Sequence, residues 1–455
     1  MLTVLGNRIY RHLFLAQVLS LVGTGLTTVA LGLLAYDLAG ERAGQVLGTA
    51  LAIKMVAYVG LAPVAAALSS KVPRRQFLVA LDLCRAGMVL ALPFVTAVWQ
   101  VYLLVFLFQA CSASFTPTFQ ATIPDILADE KDYTNALSLS RLAYDMESLV
   151  SPMLAALLLT VVSFHWLFVG NAVAFLASAA LVVSVVLPAI RTESVVRPFR
   201  ERLTRGMFIY LRTPRLRGLL ALSVAVSSAG SMVIVNTVVY VRDVLGGGDT
   251  DVALLFAAYG VGSMVVALVL PRLLDERAPR GVMLAGAGLL AVVLPLGVLA
   301  PGYAAAMALW AVIGAGASLI MTPSGLLLRR SAHPEDRPAL FAAQFALSHA
   351  CWLVAYPAAG WLGPLIGLPN TFVVLAAGAA LGAIAAALLW PADDPEVIEH
   401  EHEGLTHAHG HADDPHHADG LAEWRPDGAH SHRPVRHAHA FVIDDHHPVW
   451  PGGNR

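Results

Sequence analysis

Apolar runs of about twenty residues recur along most of this chain, separated by short polar segments. A helix of about 20 apolar residues is long enough to cross a bilayer. The pattern predicts an all-α membrane protein with twelve transmembrane helices, at residues 12–35, 44–67, 77–97, 101–121, 138–162, 167–187, 216–240, 251–270, 282–300, 303–328, 338–360 and 371–390.

Lys and Arg are distributed unevenly among the loops between these spans. If the N-terminus is cytoplasmic, the loops on the opposite side hold only Arg42 and Arg242. Cytoplasmic loops carry the excess of Lys and Arg in membrane proteins. We therefore expect a multi-pass protein of the bacterial cytoplasmic (inner) membrane, with both termini in the cytoplasm.

The two halves of the apolar region repeat each other at an offset near 206 residues. Lys71-Val72-Pro73-Arg74 returns as Arg277-Ala278-Pro279-Arg280, and Thr116-Pro117-Thr118 returns as Thr322-Pro323-Ser324. Internal repeats of this kind are typical of transporters with a site between the halves. The predicted division is a six-helix bundle (1–190), a basic cytoplasmic linker (191–215), a second six-helix bundle (216–390) and a disordered cytoplasmic tail (391–455).

These features resemble the major facilitator superfamily. The loop at residues 69–75 lies where that superfamily has an Asp-Arg-x-Gly-Arg-Arg-like turn, although Ser70 replaces the acid and Pro73 the glycine. The segments 117–125 and 135–139 look like its branch of exporters. With the histidine-rich tail, the chain is most similar to nickel-resistance exporters of that branch. The resemblance implies the major facilitator fold and efflux by an antiporter.

Composition excludes several other classes of protein. The chain is 57% apolar and 13% charged, with mean hydropathy +0.68, whereas soluble proteins carry about 25% charged residues. There is no Gly-x4-Gly-Lys-Ser/Thr segment to bind ATP and no nucleophile–base set, so we expect neither an ATP-driven pump nor an enzyme. We expect no cofactor and no nucleic-acid partner, and a monomer in contact with membrane lipid.

Charged residues inside predicted spans are costly in the bilayer and are candidates for function. Lys54 lies in the second span. Asp82 and Arg85 lie three residues apart in the third, and therefore on one helix face. They form either a local ion pair that braces the neighbouring basic loop or part of a proton path.

The fifth span is the most polar. Arg141 and Asp145 are four residues apart and can pair, while Glu147 lies about 200° around the helix from Asp145. If Arg141 neutralises Asp145, Glu147 is free to bind a cation or a proton in turn; if Arg141 instead reaches the surface, the roles reverse. The alternative is that both carboxylates brace helix packing.

His349 is placed near the middle of the eleventh span. In the superfamily's arrangement this span faces the second, so Lys54 is expected to approach His349 and help to keep its imidazole neutral for metal binding. A packing histidine that donates to a carbonyl is the alternative. Further candidates for the cavity wall are Gln17, Gln109, Met232 and Asn236, although polar residues in such helices more often pack helices together.

Thirteen of the 17 histidines lie in the last 56 residues, interleaved with carboxylates. Imidazole is the commonest ligand for divalent transition metals. The predicted metal ligands are His400, His402, His407, His409, His411, His416, His417, His430, His432, His437, His439, His446 and His447.

Together these observations favour proton-coupled export of a divalent metal, with nickel first and cobalt or zinc next. In that interpretation the metal is both the exported substrate and the ion that the tail binds, and the proton is the coupling ion. The alternatives are an exporter of a drug- or siderophore-like organic compound with a metal-regulated tail, and a membrane metal sensor.

Overall fold

The computed structural model describes residues 2–39, 43–69, 72–188, 199–299, 302–395, 397–402, 406–407, 422–424, 430–432, 435–444 and 447–451. Its α-helices are α1 Arg8–Ala39, α2 Ala43–Ser69, α3 Arg74–Ala91, α4 Val98–Ile126, α5 Glu130–Leu159, α6 His165–Val183, α7 Phe199–Arg212, α8 Pro214–Val239, α9 Asp249–Glu276, α10 Pro279–Val293, α11 Tyr303–Met321, α12 Ser324–Arg330, α13 Arg337–Ile366 and α14 Leu368–Leu389.

The long helices reproduce the predicted spans. Helices α1–α6, α8–α11, α13 and α14 correspond in order to the twelve apolar runs. Within the described residues, ten helices are long and apolar enough to cross a membrane. The other two long helices are α2 and α5, and α5 owes its lower hydropathy to its charged side chains. The predicted fold class is confirmed.

The linker between the halves contains a helix that the apolar pattern did not predict. Helix α7 packs against α13, and Arg205 on α7 forms a buried ion pair with Asp336 at 2.9 Å. Gly206 lets α7 lie close to α13, because a Cβ at this position would overlap the carbonyl oxygen of Ala339. The linker is thus fastened to the second half.

The repeated prolines act differently in the two halves. Pro117 lies inside the continuous helix α4. At the equivalent position Pro323 separates α11 from α12, although the pattern predicted one helix over 303–328. Proline removes a helical hydrogen bond and crowds the preceding turn, so a kink or a break is the expected result.

The two halves contact each other through a few helices. Helix α5 packs against α9, and α13 packs against α2 and α4. Ala62, Ala113 and Ala342 form a small fully buried cluster where α2, α4 and α13 meet. Small side chains let helix backbones approach closely in membranes, so this cluster joins the halves at short range.

Short antiparallel strands occupy part of the tail. They are β1 Val397–His402, β2 Thr406–His407, β3 Ala422–Trp424, β4 His430–His432 and β5 Val435–Ala440, in sheets of order β1-β5 and β2-β4-β3. Beyond β5, Phe441 and Ile443 are buried in the core of the second half. This differs from the disorder predicted for the whole of 391–455, because these apolar side chains find a complementary surface that is formed only after folding.

Candidate functional site

The charged pair predicted on α5 is present and joins the two halves. Arg141 and Asp145 form an ion pair at 2.9 Å. The Arg141 Nε donates a 2.9 Å hydrogen bond to the Ser263 hydroxyl on α9, and its guanidinium lies 3.7 Å from the Met321 sulfur. Arg141 therefore neutralises Asp145 and does not extend to the surface.

Glu147 points away from that pair, towards α1. Its Oε1 would lie 2.9 Å from a Cβ built on Gly25, and the Ser151 side chain would overlap that Cβ. Among the described residues Glu147 has no ion-pair partner within 4.0 Å. The two carboxylates of α5 thus have separate environments, as their angular separation predicts.

His349 and Lys54 meet at one aromatic ring. Lys54 Nζ lies 5.4 Å from the centroid of the Tyr58 ring, and the His349 ring contacts Tyr58 edge-on at 4.8 Å. His349 Nδ1 is 2.7 Å from the carbonyl oxygen of Phe345. Because a carbonyl only accepts, Nδ1 carries the proton, and in the neutral ring Nε2 has the lone pair that can bind a metal. The second predicted span, α2, thus faces His349, but the residue that contacts the imidazole is Tyr58, and Lys54 lies over the same ring.

Gln17 belongs to the same polar region, whereas other cavity candidates pack helices. The Ser140 hydroxyl donates to Gln17 Oε1 at 3.1 Å, linking α5 to α1. Asn236 donates to the Ala359 carbonyl at 3.1 Å, and Met232 is fully buried beside it. Asn236 thus joins α8 to α13, and both Met232 and Asn236 are buried in helix packing and not on an open cavity wall, which corrects that prediction. Gln109 is half-buried on α4.

Asp82 and Arg85 form a buried ion pair inside the first half. The second Asp82 oxygen accepts a 2.8 Å hydrogen bond from Ser178 on α6. The Arg85 guanidinium lies over the rings of Phe115 and Phe175, at 4.1 and 4.5 Å. These contacts hold α3, α4 and α6 together and favour the bracing interpretation of the pair.

A layer of ion pairs between the halves was not predicted from the sequence. Asp125 at the end of α4 binds both Arg74 of the first half and Arg337 of the second. Arg330 pairs with Glu130, and Lys131 lies 3.3 Å from Asp275. All of these residues lie at the end of the molecule that carries the basic loops. The only sequence signal was the repeated Arg74 motif, which does not identify its partners.

The tail histidines are only partly described. His409, His411, His416, His417 and His446 lie outside the described residues. Seven others lie on strands, where the register places His400 opposite His437 and His407 opposite His430. Within the described part of the chain, no group of three His, Cys, Asp or Glu side chains is close enough to hold a metal.

His447 instead belongs to docked residues 441–444 and 447–450, which we call the tail clasp. Its Nδ1 lies 2.9 Å from Asp444, whose other oxygen lies 3.3 Å from Nε2 of His333, before α13. Arg212 donates to the Pro448 carbonyl at 2.6 Å. The hydrogen bond with Asp444 raises the pKa of His333. Although burial opposes it, hydrogen bonding to His333 and His447 lowers the pKa of Asp444.

Several solved structures share this fold at low sequence identity. The human organic anion transporter MFSD10 (TETRAN) has 12% identity and a TM-score of 0.71, over 83% of this chain and 99% of that one. The E. coli fucose:proton symporter FucP has 13% identity and a TM-score of 0.66, over 84% and 98%. A bacterial homologue of the iron transporter ferroportin, in an outward-facing state, has 16% identity and a TM-score of 0.68, over 84% and 98%.

Sequence comparison identifies the family. No curated protein matches the chain. The profile described as Major Facilitator Superfamily matches residues 13–246 and again 220–437, so it covers both halves of the repeat. The chain therefore belongs to the Major Facilitator Superfamily, whose members are membrane transporters and not enzymes.

Proposed function

We propose that this transporter exports a divalent transition metal in exchange for protons, with nickel as the first candidate and cobalt or zinc as the next. Glu147 is the observation that carries the proposal. It is an ionisable group within a membrane helix. Burial of such a group in the bilayer costs free energy, so its presence indicates a function. Its neighbour Asp145 is already paired with Arg141, so Glu147 is the carboxylate of α5 left to bind a cation.

Competition at Glu147 supplies the coupling. A carboxylate binds a proton or a metal ion at the same oxygens, so the arrival of one releases the other. In this proposal Lys54, the charged residue of α2, compensates the carboxylate in the interval when neither ion is bound. His349 Nε2 supplies a neutral nitrogen ligand from the second half, because Nδ1 is engaged with the Phe345 carbonyl.

The histidine tail serves as a collector of metal in this proposal. Positions two apart share one face of a strand, so His400, His402, His437 and His439 occupy one face of the β1–β5 ladder by register. A tethered chelator raises the local concentration of its ligand near the transport site. The ferroportin homologue with soaked iron lends this metal assignment support from a protein of the same fold.

Transport into everted membrane vesicles with an acidic interior tests the proposal. We expect vesicles that contain the full-length protein to accumulate nickel. This accumulation should stop when nigericin collapses the proton gradient. Glu147→Gln should abolish gradient-driven accumulation, whereas Glu276→Gln, at an exposed acid at the end of α9, should leave it unchanged. Normal accumulation and pH dependence in Glu147→Gln would rule out this role for α5.

The contribution of the tail is measured in the same assay. The eleven histidines from His400 to His439 are replaced by glutamine, which leaves the tail clasp intact. We expect nickel binding to the purified protein to fall severely while export continues at low rate. Loss of all export, with normal membrane insertion, would instead make the tail part of the transport path.

A second candidate substrate is an organic anion or a metal–organic acid complex. Two observations favour it: within the described residues no three-ligand metal group forms, and Lys54 and Tyr58 together suit a carboxylate. The related fold of an organic anion transporter is consistent with it. Stimulation of nickel uptake by citrate, with loss of that stimulation in Lys54→Met, would establish the complex as the substrate.

A further inference from the structure

A cavity of about 100 Å³ lies in the second half, away from the site on α5. Helices α8, α10, α12 and α14 meet around it at the end of the molecule that carries the basic loops. Its wall includes Arg215, Arg280, Arg330, Trp390, Ala392 and Asp394. The transport proposal uses none of these residues.

The arginines around this cavity differ in the acceptors that the described residues offer them. Asp394 lies 3.4 Å from Arg215, and Arg330 pairs with Glu130. Arg280 donates to two neutral acceptors, the carbonyl oxygens of Trp390 at 2.9 Å and Ala387 at 3.1 Å. Among the described residues Arg280 thus has only neutral acceptors, and an anion in the cavity would give it a charged one.

The internal repeat shows where a carboxylate is missing. Arg280 is the equivalent of Arg74, and an offset of 206 residues makes Ser331 the equivalent of Asp125. In the first half Asp125 binds Arg74. In the second half Ser331 turns its hydroxyl to the Leu327 carbonyl at 2.7 Å, and no carboxylate among the described residues pairs with Arg280. The second half keeps the arginine of the motif without its acid.

The cavity lies at the depth of lipid headgroups. Two candidate spans begin beside it, at Pro214 and Pro279, and a third ends at Leu389. Trp390 follows that last residue, and tryptophan is enriched at the membrane–water interface. Guanidinium groups match the geometry of phosphate oxygens and hold them by paired hydrogen bonds.

We propose that this cavity binds a phosphate-type oxyanion, either the headgroup phosphate of an anionic phospholipid or free phosphate. The oxyanion takes the place that Asp125 fills in the first half and supplies Arg280 with a charged acceptor. Because Arg330 of this cavity pairs with Glu130 of the other half, the bound anion lies next to the ionic layer between the halves. This inference does not depend on which substrate the protein exports.

Lipid retention by the full-length protein tests the proposal. The protein is purified in detergent, incubated with labelled phosphatidylglycerol or phosphatidylcholine, and the retained lipid is counted. We expect preferential retention of phosphatidylglycerol. Arg280→Gln should weaken it about tenfold, the effect expected when hydrogen bonds to a charged group are lost. Arg277→Gln is the matched control, since Arg277 is exposed, lies three residues away and is not part of the wall.

Ala392→Glu is the second variant, and it keeps every hydrogen bond of Arg280. It places a carboxylate on the exposed wall of the cavity, where it should exclude an anionic ligand and also weaken retention about tenfold. Unchanged elution and thermal unfolding establish that both variants fold. Two results would overturn the proposal. One is that Ala392→Glu retains as much phosphatidylglycerol as the unmodified protein; the other is that the unmodified protein retains phosphatidylglycerol and phosphatidylcholine equally.

Inorganic phosphate distinguishes the two sources of the oxyanion. If millimolar phosphate displaces labelled phosphatidylglycerol from the unmodified protein, the cavity recognises phosphate itself and free phosphate can fill it. If phosphate does not displace the lipid, the ligand is the headgroup on its acyl chains. Either result supports an oxyanion site, provided that both variants lose retention.

Discussion

The two halves of this transporter share a fold but differ in where they place charge. The spans of the first half contain Lys54, the pair of Asp82 with Arg85, and Arg141, Asp145 and Glu147 on α5. The second half meets Arg141 of that helix with neutral groups: the Ser263 hydroxyl on α9 and the Met321 sulfur. Each half carries the same proline–arginine turn, yet only the first supplies its arginine with an acid.

This difference assigns separate tasks to the two halves, although they share one fold. In the proposed mechanism the first half contains the carboxylate that binds cations and protons, and the second half contributes neutral groups such as the His349 imidazole. Charge in a membrane helix is expensive, so concentrating it in one half leaves the other free to pack tightly. We expect substitutions in the charged half to have the larger effects, and the following experiments test that ranking.

Asp125→Asn is expected to give the largest loss. This carboxylate binds Arg74 and Arg337 from opposite halves, with only 10–14% exposure of the side chains. Its removal leaves two nearly buried cations uncompensated, and breaking such pairs costs about 3–5 kcal/mol. Thermal unfolding in detergent measures the effect. Glu130→Gln is the control: its carboxylate is 44% exposed, so the cost should stay below about 1 kcal/mol. Equal losses in both variants would contradict the ranking.

Gly25→Ala should have the next largest effect. A Cβ here would overlap Ser151 and lie 2.9 Å from Glu147 Oε1. Overpacking of this kind costs about 1–3 kcal/mol, and it should displace Glu147 and reduce gradient-driven transport. At Gly60 on α2 a Cβ would have no atom within 4 Å, so Gly60→Ala should transport normally. Normal transport by Gly25→Ala would show that the position of Glu147 is not critical.

Ser263→Ala tests the weaker contact made by the neutral half. It removes one hydrogen bond to Arg141 while the ion pair with Asp145 remains, so the expected cost is about 0.5–1.5 kcal/mol. The comparison is Ser227→Ala, because the Ser227 hydroxyl bonds only within its own helix, to Val224. Chemical unfolding measures both variants. A cost in Ser263→Ala above that of Asp125→Asn would reverse the proposed division of tasks.

The smallest effect concerns the tail clasp and pH. Hydrogen bonding to Asp444 raises the pKa of His333 above its ordinary value. The protonated histidine therefore contributes its stabilisation below the pKa of the free side chain, and that contribution is lost as pH rises through the raised value. His333 is about half exposed, so solvent screening keeps the effect small. Protease accessibility of residues 441–450 should increase between pH 6 and pH 8, and His333→Gln should flatten that change.

Local spacing was enough to predict several features of the candidate site. Four residues separate Arg141 from Asp145, and a helix brings such residues together whatever surrounds it. The same geometry separates Glu147 from Asp145 by about 200°. The pair and the separate environment of Glu147 both appear in the structure. Tyr58 was missed because nothing in the sequence distinguishes it from an ordinary packing residue. Its role is visible only from the Phe345 and His349 rings that it contacts in the structure.

Other elements were missed for a different reason. The partner of Asp125 lies 212 residues away in Arg337, and the His333–Asp444 contact spans 111 residues. Hydrophobic periodicity reports which face of a helix is apolar, but not which helix covers it. Helix α7 was hidden because its charged residues resemble those of a basic loop, and its buried Arg205 is explained only by Asp336, the residue before α13.

The sequence by itself determined the twelve long helices, the two-fold repeat and the ion pair within α5. These follow from the length a bilayer requires and from the 3.6-residue turn, which act within a few tens of residues. Tertiary structure decided that Asp125 joins the halves, that His349 meets Lys54 around Tyr58, and that Arg280 borders a cavity where Arg74 meets an acid. Those outcomes depend on how each helix is rotated and shifted against its neighbours, and close packing of side chains across the chain sets that geometry.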